Sequence, residues 1–164
     1  MPFIYNDNMS EDANAVMKHY IDPKPPKVVI PAEAKVSSGK FTPGVFKDVS
    51  APDFSALFNA IQTGHLVVAY HAKWCVFCQR MLPEYMAAAK KSKIPLIALE
   101  QSNIDKFISY YNDRIKLEPD RKKQAKYEAL RPVINSFPTI LIYNGGKVTK
   151  YSGERSASKF MAIE

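Results

Sequence analysis

The chain has 164 residues, enough for one domain with a hydrophobic core plus an appendage. Its 46% hydrophobic and 24% charged residues fit an ordinary soluble protein, and a total of two cysteines excludes a scaffold stapled by disulfides. The formal charge of +7 falls within residues 46–164, where 18 Lys and Arg face 11 Asp and Glu; such a diffuse excess favours acidic partner surfaces over nucleic acid, for which no binding motif is present. No run of eighteen apolar residues occurs, so no membrane span is expected. Met1 to Asp12 is polar and acidic without an apolar stretch, so a secretory signal is not expected and the cytoplasm is the expected compartment.

Residues 1–44 hold half of the twelve prolines, including Pro23, Pro25, Pro26, Pro31 and Pro43. X-Pro steps remove backbone donors and disfavour helix, so this segment is expected to be largely extended or disordered. The expectation is a tail or linker, with an arm wrapping the next domain as the alternative. A short helix near Asp12 to Tyr20 would place Val16, Met17 and Tyr20 on one face.

Residues 45–164 read as an α/β domain. Val45 to Val49 alternates like a short strand, and Ser50-Ala51-Pro52-Asp53 offers an N-cap, an early proline and an acid. Phe54, Leu57, Phe58 and Ile61 then recur at helical spacing until Gly64. Leu66 to Tyr70 reads as a buried strand, and Cys75 opens a helix to about Lys93. Leu96 to Leu99 is the next strand. Ile104, Phe107, Ile108, Tyr111 and Ile115 form an apolar helical stripe, and Glu118-Pro119-Asp120 breaks it before a second, basic helix with Arg121, Lys122, Lys123 and Lys126. Thr139 to Tyr143, the turn Asn144-Gly145-Gly146 and Lys147 to Tyr151 form a hairpin, and Ser156 to Ile163 a last helix. The order β-α-β-α-β-α-β-β-α predicts a central mixed sheet flanked by helices on both faces.

Both cysteines sit in one motif, Cys75-Val76-Phe77-Cys78, at a strand-to-helix junction. Unpaired amides and the helix dipole at that end stabilise a thiolate, and the second sulfur lies one turn further in. Cys75 is thus expected to be exposed and Cys78 less so, with Lys73 adding favourable charge. A bare C-x-x-C also reads as half of a zinc site, but four ligands are wanted and no second Cys pair exists. His19, His65 and His71 lack ligand spacing, and His71 reads as a packing or edge residue. Neither a metal nor a cofactor is expected.

The run Tyr70-His71-Ala72-Lys73-Trp74-Cys75-Val76-Phe77-Cys78, Pro83, the later Phe137-Pro138-Thr139, the Asn144-Gly145-Gly146 turn and Gly153 together resemble the thioredoxin superfamily. The resemblance covers about residue 45 to the end and implies a thioredoxin-like fold with a helical insertion at about residues 103–131, before the strand led by the cis-proline. It implies Cys75 as attacking nucleophile and Cys78 as resolving thiol. It implies Trp74, Phe137 and Pro138 as substrate-binding residues, with Pro138 in cis. It implies Pro83 as a helix-kinking, structural proline. Tyr151 and Arg155 resemble the end of a protein disulfide isomerase domain, where the arginine assists ionisation of the buried thiol.

Three departures qualify the resemblance. Val76 and Phe77 replace the small, proline or histidine residues of relatives, which leaves the direction of electron flow open. Ala69 and Ala98 stand where relatives bury an acid and its lysine partner, so resolution by Cys78 is expected to be slow or to use Arg155 or water as proton path. The stretch between Glu100 and Pro138 is enlarged, which reads as a surface insertion or as a partner surface carrying Tyr110 and Tyr111. The implied activity is thiol–disulfide exchange with protein substrates, with a thioredoxin-reductase-type or glutathione reductant. The alternative is a thioredoxin-fold interaction module with weak or no redox turnover.

Overall fold

A computed structural model describes residues 40–164; the expected Asp12 to Tyr20 helix lies outside the described residues. Leu66, Val67 and Val68 stand at the heart of β1 (His65–His71), a strand buried at every position but its first. Burial on both sides means that both faces are covered. β2 (Leu96–Glu100) runs parallel to β1, β3 (Thr139–Asn144) antiparallel to it on the other side, and β4 (Lys147–Lys150) antiparallel to β3. The order is β2-β1-β3-β4, a mixed sheet. Gly145 and Gly146 take φ of 58° and 89° in the β3–β4 turn, a conformation that glycine adopts at little cost and that matches the twist of the strands.

Among the described residues five α-helices cover the sheet: α1 (Phe54–Thr63), α2 (Val76–Lys91), α3 (Gln101–Leu117), α4 (Arg121–Leu130) and α5 (Ala157–Met161). Strand alternation divides the core in two. Val68, Tyr70, Ile97 and Leu99 meet Phe54, Leu57, Phe58 and Ile61 of α1 and Ile104, Phe107, Tyr110 and Tyr111 of α3. On the opposite face Val67, Ala69, Leu96 and Ala98 meet Met81, Tyr85, Ala88 and Ala89 of α2 and Phe160 of α5. The fold is therefore the expected mixed α/β sheet with helices on both sides. No helix among the described residues is long and apolar enough to cross a membrane.

Three sequence expectations are corrected. Val45 to Val49 forms no regular strand: a single parallel bridge joins Asp48 to Ala98 beside β2, held by Val49 N–H to Ala98 O at 2.7 Å and Ala98 N–H to Lys47 O at 2.9 Å. The 3₁₀ turn Ala51–Asp53, with Pro52 in its opening positions, carries the chain off the sheet edge immediately afterwards. Ser50 makes no side-chain cap. Asp53 turns inward instead and pairs with Lys40 at 2.6 Å and Lys47 at 3.0 Å. Finally, Tyr110 and Tyr111 are buried rather than exposed, because α1 lays Phe54 and Phe58 against them. Packing also reaches back to Phe41, which is buried with the α1–α3 core.

Candidate active site

β1 delivers the chain to a short loop in which Cys75 N–H donates to Ala72 O at 3.1 Å. Gln79 Nε2 donates to Lys73 O at 2.7 Å and ties the same loop to the first turn of α2. Cys75 is the N-cap of α2, with φ −83° and ψ 115°, and its Sγ accepts the Cys78 N–H at 3.2 Å. A thiolate at Cys75 would thus receive an otherwise unpaired helix amide.

From the other side comes β3. Its first residue, Thr139, pairs with Tyr70, which carries the preceding Phe137–Pro138 peptide past the end of β1. That peptide is cis. The Cys75 thiol lies 3.6 Å from Phe137 O and donates to it. Phe137 also packs on the cluster of Ala72, Cys75 and Cys78. Its ring meets Trp74 edge-on at 5.8 Å and 87°. Trp74 is fixed by its indole N–H, which donates to Gln101 Oε1 at 2.7 Å at the start of α3.

The structure brings Trp74, Cys75, Cys78, Phe137 and Pro138 into one place. Cys75 is not exposed as the sequence suggested: it is only 5% accessible, with Phe137 packed beside it, and Cys78 is fully buried. Around the sulfurs the surface is apolar, since Trp74, Val76 and Phe77 are 67%, 52% and 61% exposed.

Burial, then the hydrogen bond and charge of Cys75, push the Cys78 thiol up to about 12; a backbone hydrogen bond from Ala72 and the positive field of Arg155 act in the opposite sense. Arg155 itself is exposed. Lys73 is also exposed, and its charge acts on Glu100. Burial would raise the Glu100 carboxyl, but bonds from Ser102, then Lys73 and His71, hold it below the ordinary glutamate range.

Sequence reasoning missed a buried polar pair at the end of β1. His71, at the end of β1, is buried, with Nε2 3.3 Å from Asp48 Oδ2, and it pairs in register with Glu100. Nothing local marks that pairing, because Asp48 lies 23 residues earlier. The Gln101 support of Trp74 was missed for the same reason. Among the described residues no group of three or more His, Cys, Asp or Glu could hold a metal ion.

The Thioredoxin family model matches residues 45–119. Among curated proteins the chain is similar to protein disulfide isomerase-like 1-1 of Arabidopsis thaliana, 33% identical over 96 residues that cover 56% of this chain and 16% of that protein. It is also similar to the thioredoxin domain-containing protein 5 homolog of Drosophila melanogaster, 30% identical over 100 residues, with 60% and 20% covered. The chain thus spans about a sixth to a fifth of the length of these relatives. Of solved structures, thioredoxin f from spinach chloroplast aligns with a TM-score of 0.43 at 19% identity, covering 72% of this chain and 88% of that one. Over residues 45–119, which carry the C-x-x-C pair at the head of a helix, the chain is similar to the thioredoxin family and to these disulfide isomerase-like relatives.

Proposed function

We propose that this protein exchanges disulfides with protein substrates through the Cys75–Cys78 pair. The observation that carries the reading is the placement of Cys75 Sγ, at the N-cap of α2 on the Cys78 amide and facing the Phe137 carbonyl. Cys75 as thiolate attacks one sulfur of a client disulfide, forming a mixed disulfide and releasing a client thiolate. Cys78 then loses its proton and attacks Cys75 Sγ; the Cys75–client bond breaks, and the second client thiolate leaves. Two electrons pass from the dithiol to the client, and the reverse sequence oxidises a client dithiol.

Trp74, Phe137 and Pro138 are proposed to hold the client chain. The exposed rings of Trp74 and Phe77 offer apolar contact on either side of Cys75. Arg155 is proposed to assist Cys78 through its field, and Lys73 to act through Glu100 rather than directly on a sulfur. The domain is proposed to comprise residues 45–164 behind a Pro-rich segment 1–44. Within the 103–131 segment the exposed basic side of α4 is the part available to a protein partner. The cytoplasm is the proposed compartment, with a thioredoxin-reductase-type or glutathione reductant restoring the dithiol. Support comes from a sequence whose two cysteines both belong to the centre and leave no structural disulfide.

A second reading, an interaction module without redox turnover, draws on the 5% accessibility of Cys75. Insulin reduction separates the two. Wild type is expected to reduce insulin, Cys75→Ser to fall to background, and Cys78→Ser to accumulate the mixed disulfide. Equal rates in wild type and Cys75→Ser would leave only the module.

A further inference from the structure

To be attacked, a client sulfur has to come within about 3–3.5 Å of Cys75 Sγ. The arrangement leaves it little room. Cys75 is buried, and Phe137 is the apolar residue from outside the loop and α2 that packs on the cluster of Ala72, Cys75 and Cys78. Its carbonyl also accepts from the Cys75 thiol at 3.6 Å. Attack therefore requires that Phe137 give way, and whatever replaces its contacts decides which clients react.

The Phe137 ring is braced. Trp74 meets it edge-on with centroids 5.8 Å apart, although Trp74 is itself an exposed side chain. The indole is fixed at its nitrogen, which donates to Gln101 Oε1 at 2.7 Å. An indole N–H can only donate, so the oxygen of the amide has to face it. Gln101 is held in turn as the first residue of α3, whose N-cap, Glu100, accepts the Ser102 N–H at 3.0 Å. Gln79 ties down the loop that carries Trp74 by donating to Lys73 O. Gln101, Trp74, Phe137 and Cys75 thus form one chain of contacts that ends on the nucleophile.

Displacing the ring breaks an aromatic edge contact and uncovers apolar surface beside Cys75. A client makes up for both only if it carries a large apolar side chain next to its disulfide. Trp74, together with Val76 and Phe77 in the first turn of α2, is exposed and offers that side chain an apolar bed. A small or polar disulfide offsets neither loss.

We infer that Phe137, braced by Trp74 and Gln101, is the specificity-determining residue of the exchange site and selects client disulfides flanked by a large apolar side chain over small or polar ones. The inference rests on the exchange reading above. Gln101 is a positioning residue that acts through Trp74. The covalent step is unchanged: the Cys75 thiolate bonds to one client sulfur, and the other leaves as thiolate.

The test compares rates of Cys75 attack in a Cys78→Ser background, so that only the first step is read. The substrates are hydroxyethyl disulfide, a peptide disulfide with Phe beside each cysteine, and the same peptide with Ser in those places. The background protein is expected to react with the Phe peptide about tenfold faster than with the other two, a discrimination that one apolar contact supports. Phe137→Ala is expected to bring the rates to within about threefold of one another, through faster attack on hydroxyethyl disulfide. Gln101→Leu cannot accept from the indole and is expected to lower the preference about threefold, whereas Gln101→Glu keeps both the acceptor and the preference. A change in thiol reactivity alone moves every rate together and leaves the ratios as they were. Equal rates in the background protein, or unchanged ratios in Phe137→Ala, overturn the inference while exchange stands. Unchanged ratios in Gln101→Leu overturn the brace and, should Phe137→Ala not fold, the inference with it. A background protein that attacks none of the substrates overturns exchange itself.

Discussion

Where β1 and β2 run side by side, Ala69 faces Ala98. The phenol of Tyr85 lies over the same two strands, its single hydrogen shared between Val67 O at 3.1 Å and Ile97 O at 2.6 Å. Burial, then the neighbouring Tyr70, keeps that phenol protonated. The face of β1 and β2 at Ala69 and Ala98 is therefore closed by uncharged groups. Ala69→Asp would place a carboxylate there without a mate. The expected loss is about 3–5 kcal/mol, read by urea denaturation, with part of it recovered on adding Ala98→Lys. A neutral Ala69→Asp would show that this face admits water, contrary to the full burial of both alanines. The sequence made the absence of charge legible at once. It did not show His71, two residues on along the same face, beside Glu100.

At the scale of elements, α1, α3 and α4 are joined by aromatic packing. Phe58 of α1 has Tyr111 at 4.7 Å and Tyr127 at 4.9 Å, and the Arg114 guanidinium lies 4.2 Å over its ring. Tyr111 OH accepts from Gln62 at 2.9 Å and donates to Tyr127 O at 2.6 Å, so its polar tip is satisfied within the same cluster. Phe58→Ala is expected to cost about 3–5 kcal/mol in chemical denaturation, since neither helix can close the hole. A loss under about 1 kcal/mol would mean that the enlarged segment is an appendage rather than part of the core. Helical periodicity predicts Ile104, Phe107 and Tyr111 on one apolar stripe, yet the enlarged segment reads as a surface carrying both Tyr110 and Tyr111, and both are buried. Periodicity gives the direction of a stripe; its width depends on how many neighbours cover it. Here α1 widens the buried arc of α3. On α4, by contrast, only Leu130 is buried, and its basic residues face solvent.

Across the whole molecule, Lys40 and Lys47 tie the start of the described chain to the base of α1 through Asp53. Burial alone would raise the Asp53 carboxyl above its usual 3.8; the hydrogen bonds and charges of the two lysines outweigh it and hold the group lower. A carboxyl whose folded value is depressed stabilises the fold above its unfolded value, and the contribution disappears as pH falls through the folded one. Stability is thus expected to hold above about pH 4 and decline below it, where the unfolded aspartate takes its proton first. Asp53→Asn should flatten that acid limb and lower stability at pH 7, as followed by thermal melts from pH 2 to 7. An acid limb as steep as in wild type would assign the decline to other carboxyls.

Local spacing by itself determined the element types, the fold class and the C-x-x-C pair at the head of a helix, because these depend on periodicity and on residues within one turn of each other. The segment before α1 escaped this reading: its alternation is that of a strand, but Pro52 and the Asp53 pairs decide how far it follows the sheet. Tertiary structure alone decided what surrounds the sulfurs. Cys75 meets a carbonyl 62 residues away, Trp74 an amide 27 away and His71 a carboxylate 23 away. Such partners are set by strand register and by the close approach of β3 to the end of β1. No local pattern encodes them, and they made Cys75 a covered thiol where its position in the chain had suggested an open one.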